Sequence, residues 1–198
     1  MQFKAFEPGI EVNGQTVYSI VDGLGSFKSI GHETLLSVGI GSGSKADYHI
    51  GMDSWYSQAD WLQAFEKIAR EIGDSTLKEI GKKIPENAQF PPWVIDIDSA
   101  IKSIDIAYHM NHRKNGTVMF DPNTGTMLEG IGHYGYERVP DKNMIVSKCN
   151  NPYPDAFDHG IITTMAKKFQ LGASVLHDDS KPCRKNNAES CTYIITWM

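Results

Sequence analysis

The stretch from Asn143 to Leu171, NMIVSKCNNPYPDAFDHGIITTMAKKFQL, decides the fold. Asn143 to Cys149 reads as a strand. Asn151-Pro152-Tyr153-Pro154 cannot continue a ladder, because proline has no N–H to donate. Phe157, Ile161, Met165 and Phe169 then recur every four residues up to Leu171-Gly172, the spacing of an amphipathic helix. Beyond it the tail alternates. Cys191, Tyr193, Ile195 and Trp197 point one way and Thr192 and Thr196 the other, as in a half-buried strand. Upstream, Asp121-Pro122-Asn123-Thr124-Gly125 is turn chemistry between Thr117 to Phe120 and Thr126 to Val139, which reads as a hairpin. Earlier still the period is helical. Ile97, Ile101, Ile104 and Tyr108 follow the Pro91-Pro92 break and run into His109 and His112. Trp61, Leu62, Phe65, Ile68, Ala69 and Ile72 form one apolar stripe that ends at Gly73, and Leu77, Ile80 and Ile84 continue to Pro85, together an αα-hairpin. Val17, Ile20, Val21 and Leu24 predict a short first helix, and Ser29 to Val38 a second. The order predicts an α+β fold, with N-terminal helices packed on an antiparallel sheet that has a helix inserted.

At 198 residues the chain fits a single domain, residues 1–198, able to bury a core without metals or disulfides. With 40% hydrophobic and 22% charged residues its composition is that of a globular protein, and the net charge of -5 argues against nucleic acid as a partner. No apolar run approaches the roughly 18 residues of a membrane span, and Met1 to Glu7 lacks the pattern of a secretory leader. A cytoplasmic protein without a membrane span is therefore expected. Three cysteines, Cys149, Cys183 and Cys191, are an odd number, which favours reduced thiols or metal ligands over a disulfide framework.

Cys183 and Cys191 flank a polar segment, Arg184 to Ser190, that can turn the chain and bring the two sulfurs together. Three readings stand open: a disulfide, a metal bound with Cys149 and a fourth group drawn from His177, Asp178 or Asp179, or separate buried thiols. A second set of candidates is Tyr108, His109 and His112 at a helix end, with His133 and Tyr134 on a glycine-rich strand. Gly130, Gly132 and Gly135 remove side chains there, so a ligand or another backbone can approach closely. These five residues are the predicted ligand-binding groups of a mostly apolar pocket. Each histidine also has a plainer role, and His112 with Arg113 and Lys114 sits where cations suit a helix C-terminus. Asp96, Asp98 and Asp105 read as a solvated helix face. Gly39 to Lys45 lacks the spacing of a phosphate loop, and neither a Gly-x-Ser-x-Gly elbow nor a nicotinamide or flavin fingerprint occurs, so no catalytic residues are assigned.

Asn150-Asn151-Pro152-Tyr153-Pro154, then Phe157-Asp158-x-Gly160-Ile161-Ile162, Cys183-Arg184 and Cys191-x-Tyr193-x-Ile195, resemble the 4-vinyl reductase domain family. That family shares its fold with haem nitric-oxide sensors and TRAPP vesicle-tethering subunits, and is similar to phenol-sensing regulator domains. The resemblance covers residues 90 to 198 best. It implies a pocket between helices and sheet for a small hydrophobic or aromatic molecule; with no effector signature in the chain, a sensor of this kind is expected to signal through a homodimer or a signalling partner. In the phenol sensors three cysteines and a glutamate hold zinc, which implies Cys149, Cys183 and Cys191 as metal ligands here, although Ser180 stands where the glutamate would be. Zinc is thus expected ahead of haem or another tetrapyrrole, since the Tyr-x-Ser-x-Arg motif with which haem nitric-oxide sensors grip propionates is missing. An enzyme or carrier of tetrapyrrole metabolism, a haem-based gas sensor and a structural assembly subunit are the alternatives.

Overall fold

The structure, a computed structural model, describes residues 1–198, the side chain of Asn87 excepted. Strand β1 (Ile10–Asn13) leads into helices α1 (Gly14–Asp22) and α2 (Lys28–Ser37). A small ribbon of β2 (Ser42–Gly43) and β3 (Tyr48–His49), then β4 (Trp55–Ser57), carries the chain to the long helix α3 (Gln58–Asn87). Helix α4 (Ile97–Met110) is followed by β5 (His112–Lys114), β6 (Thr117–Val118), β7 (Phe120–Asp121), β8 (Thr126–Met127), β9 (Glu137–Arg138) and β10 (Met144–Cys149). Helix α5 (Asp155–Phe169) separates β10 from β11 (Ser174–His177) and β12 (Cys191–Thr196).

The fold is α+β, with antiparallel sheets ordered β4-β1-β5-β6 and β11-β12-β10-β9. The second sheet is the one the quoted stretch predicts. β10 and β12 pair from Met144 opposite Thr196 to Cys149 opposite Cys191, and Cys191, Tyr193 and Ile195 all turn inward. Helix α5 is the insertion, and it packs on α3 at two glycines. A side chain on Gly160 would strike the Lys78 carbonyl, and one on Gly81 the Phe157 carbonyl, so the helices touch backbone to backbone. The core gathers Trp61, Leu62, Phe65 and Ile68 of α3, Ile101 and Ile104 of α4, Phe157, Ile162 and Met165 of α5, and Ile145 and Ile195 of the sheet.

Three expectations are corrected. The helix from Ile97 stops at Met110, and His112 opens a strand. The hairpin is shorter than its turn chemistry suggests, pairing only Phe120 with Met127 and Asp121 with Thr126, because Gly130 and Gly132 at φ 128° and 72° take the chain out of the ladder. Strands β1, β4 and β11 add to the predicted set, since three or four residues are too few to show an alternation. Gly73 does interrupt the long helical run, at φ 75° and ψ 169°.

Candidate functional site

Helix α4 starts from a capping box in which Asp96 accepts the Ser99 N–H at 2.8 Å and Ser99 Oγ accepts the Asp96 N–H at 3.1 Å. That start fixes the register of its last two turns. Tyr108, buried there, is the hub of an aromatic cluster. Its ring centroid lies 4.7 Å from His112, 5.5 Å from His109, 5.3 Å from Tyr134 and 5.9 Å from Tyr153. Its hydroxyl donates to the Ile131 carbonyl at 2.8 Å. His112 keeps one ring nitrogen on the Tyr108 carbonyl at 2.7 Å and the other on the Tyr153 hydroxyl at 2.9 Å. Burial pushes its pKa down to about 4, so the ring is neutral, donating to the carbonyl and accepting from the tyrosine. The predicted set of Tyr108, His109, His112, His133 and Tyr134 therefore converges on one end of α4.

Sequence reasoning missed the group beneath that set. Arg184 and Asp158 form a fully buried ion pair at 2.5 Å. Asp158 also receives the Tyr134 hydroxyl at 2.5 Å and the Asn151 amide at 3.0 Å, while Arg184 donates to Asn151 Oδ1 at 2.6 Å and the Tyr153 carbonyl at 2.8 Å. Burial raises the Asp158 pKa against the opposing pull of Arg184 and these donors. Asn151, Tyr153, Asp158 and Arg184 all belong to the segments that carry the family resemblance, and that was the signal available for them. The glycine-rich stretch serves this packing. A side chain at Gly132 would meet the Asn150 carbonyl and one at Gly135 the Lys148 carbonyl, so what approaches there is backbone.

Most of these buried polar groups are paired, and a few are not. Among the described residues, Gln58 Nε2 and Oε1, Trp61 Nε1, His109 Nε2 and Arg184 Nε are buried with no hydrogen-bond partner. Gln58 and Trp61, both wholly buried in the first turns of α3, interact with the Tyr153 hydroxyl, and Gln58 with that of Tyr108 as well, without reaching full hydrogen-bond geometry. A buried unpaired polar group costs about 1–3 kcal/mol, so such a group at this seam is a place where a guest with a matching donor or acceptor gains affinity.

On the other side of Tyr108, His109 is fully buried and stacks on His133 with centroids 4.9 Å apart. Asp105, expected on a solvated face, points inward. Its carboxylate accepts the Tyr134 N–H at 2.9 Å and meets His133 Nδ1 at 2.9 Å, while Glu129 meets His133 Nε2 at 3.1 Å. Burial disfavours charge on His133, but the two carboxylates outweigh it and hold its pKa above the ordinary value. The i, i+4 spacing of Asp105 and His109 was the legible signal.

Of the three cysteines expected as metal ligands, Cys183 and Cys191 come together, with Asp155 and His177 beside them so that one ligand atom of each lies within 4.8 Å of the others, and Cys149 stays apart. Cys183 and Cys191 are joined in a disulfide. Cys149 is a separate buried thiol whose pKa burial pushes up. The fold neighbours overturn the rank given to zinc.

No family model matches the sequence, and no curated protein does. Solved structures do match in shape. An H-NOX protein from S. oneidensis in the Fe(II) ligation state superposes with a TM-score of 0.58 at 14% identity, covering 94% of this chain and 96% of that one. A point mutant of T. tengcongensis H-NOX gives 0.63 at 14% identity over 93% and 97%. An oxygen-binding H-NOX domain related to soluble guanylate cyclases gives 0.58 at 13% over 93% and 94%. Further neighbours are described by their haem distortion and haem redox potential, so haem, not zinc, is the cofactor associated with these neighbours.

Tested against a haem, one atom of this chain fits an iron ligand. His109 Nε2 is a buried nitrogen without a partner, as an axial ligand would be. The interior beside α3 and α5 is lined by packed aromatic rings. Phe65 contacts Trp61 at 4.9 Å, Phe157 at 5.4 Å and Tyr153 at 6.3 Å between centroids, and Tyr153 reaches Tyr108. Two clefts, of about 230 and 350 Å³, lie along α3 and α5, and no α4 histidine lines either. No described helix is long and apolar enough to cross a membrane. The chain has the fold of the H-NOX domains, with an interior that its own aromatic rings occupy.

Proposed function

We propose that this chain is a sensory domain that takes a small aromatic molecule bearing a hydrogen-bonding group into the seam between the start of α3 and the end of α4. One observation supports this reading above the rest: Gln58 and Trp61 keep buried polar atoms that meet the hydroxyls of Tyr108 and Tyr153 only loosely, short of full hydrogen-bond geometry. A guest hydroxyl there supplies the missing partners, while the surrounding rings supply apolar walls. Admitting it requires the cluster around Tyr108 to open. Ligand and packing are thus coupled, and binding shifts the population between a closed and an open arrangement only by the guest's differential affinity for the two. The shifted α4 then alters the surface offered to a second copy of the chain or to a signalling partner.

Haem-based gas sensing is the second reading. The H-NOX neighbours and the free Nε2 of His109 favour it, and favour it over any zinc protein. Titration of the purified chain with phenol and, separately, with haemin tells the two apart. Under the first reading phenol raises the melting temperature saturably, an effect that Gln58→Leu abolishes, and haemin gives no Soret band dependent on His109. A stoichiometric Soret band lost in His109→Ala establishes the second reading in its place. If neither probe binds, both readings fall.

A further inference from the structure

The group at the outer side of α4 supports an inference of its own. One ligand atom from each of Asp105, His109 and His133 lies within 4.8 Å of the other two. His109 is arranged as a metal-bound imidazole is, with one nitrogen engaged by an orienting acceptor and the other available. His133 is oriented by Glu129 with its other nitrogen on Asp105, a contact that an ion between the two would replace. His109 Nδ1 is held by the Asp105 carbonyl at 2.8 Å, which leaves Nε2 fully buried and, among the described residues, without a partner. His133 Nε2 is held by the Glu129 carboxylate at 3.1 Å, which leaves Nδ1 facing Asp105 Oδ2 at 2.9 Å. Asp105 is itself fixed through its other oxygen by the Tyr134 N–H at 2.9 Å. The loop that carries His133 is pinned by the His133 N–H on Asn150 Oδ1 at 2.6 Å.

We propose that Asp105, His109 and His133 bind a single non-haem divalent ion of the iron(II) class, with Glu129 as the residue that orients His133. Two imidazoles and one carboxylate with open positions are the ligand set that suits such an ion, and the open positions would take water or a small oxygen or nitrogen donor. No sulfur is involved. The stacked rings, 28° from parallel, must part for both nitrogens to reach one ion, and the ring that moves is His133, whose side chain is one-third exposed. The site is built from its own residues and does not depend on any guest in the interior.

The test uses the full chain, freed of metal with a chelator and titrated without oxygen, first with Fe(II) and then with Co(II), no porphyrin being present. One equivalent binds per chain, and Co(II) gives visible d–d bands. His133→Ala and Asp105→Asn each abolish stoichiometric binding, Glu129→Gln weakens it roughly 10–100-fold, and His177→Gln, outside the set, leaves it unchanged. His133 is partly exposed, so its variant folds even if a His109 variant does not. Absence of stoichiometric uptake by the unaltered chain overturns the proposal, and so does uptake that survives both His133→Ala and Asp105→Asn.

Discussion

His112 is a histidine that must shed its proton to be buried, with its pKa lowered from 6.5 to about 4. The folded chain therefore binds fewer protons than the unfolded chain between these values, and stability falls as pH drops from 6.5 toward 4. The loss attached to this one ring is ~3 kcal/mol. His112→Gln keeps a partner for the Tyr153 hydroxyl and removes the titration. Urea unfolding at pH 7 and pH 4.5 should show a smaller difference for the variant than for the parent, and equal differences would contradict the assignment. The buried pair beneath it makes a larger claim. Arg184→Met leaves Asp158 without its cation in a site closed to water, at a cost of about 3–5 kcal/mol, whereas replacing both partners with apolar residues together should restore much of it. A double-mutant cycle measured by thermal unfolding checks this.

Among the elements, the contact between α3 and α5 depends on the absence of two side chains. Gly160→Ala inserts a methyl group against the Lys78 carbonyl, so the helices must separate, at a cost of about 1–3 kcal/mol. The melting temperature should fall accordingly, and an unchanged value would show that the crossing is looser than drawn. Asp96→Ala removes the α4 cap and should cost about 1 kcal/mol, with faster amide exchange confined to the first turn of α4. The long elements were legible because their stripes run over many turns: Trp61 to Ile72, Phe157 to Phe169 and the alternating tail all lie where the pattern puts them. The short strands were not, and neither was the glycine-led exit from the hairpin, since tertiary pairing decides them. The five ligand-binding candidates converge because helix period and strand adjacency are both readable in a chain. Asp105, Asp158 and Arg184 escaped because a charged residue reads as exposed until its partner, 26 or more residues away, is placed beside it. The disulfide is one of three open readings of the sequence for the same reason: proximity was legible, and bonding was not.

Across the whole molecule, the H-NOX fold is present while its interior is closed by tyrosine, tryptophan and phenylalanine rings packed around a buried ion pair. The resemblance read from the sequence led to the fold that the H-NOX neighbours share and ranked zinc ahead of the haem associated with those neighbours. What the interior retains at the seam of α3 and α4 is a small set of buried polar atoms without full hydrogen bonds, and these are where the proposed guest would bind. The most direct measurement is the indole N–H resonance of Trp61, identified by its loss in Trp61→Phe, followed as phenol is added. It should move downfield saturably as the N–H gains an acceptor. If that resonance stays put while phenol is bound, the seam is not the binding site.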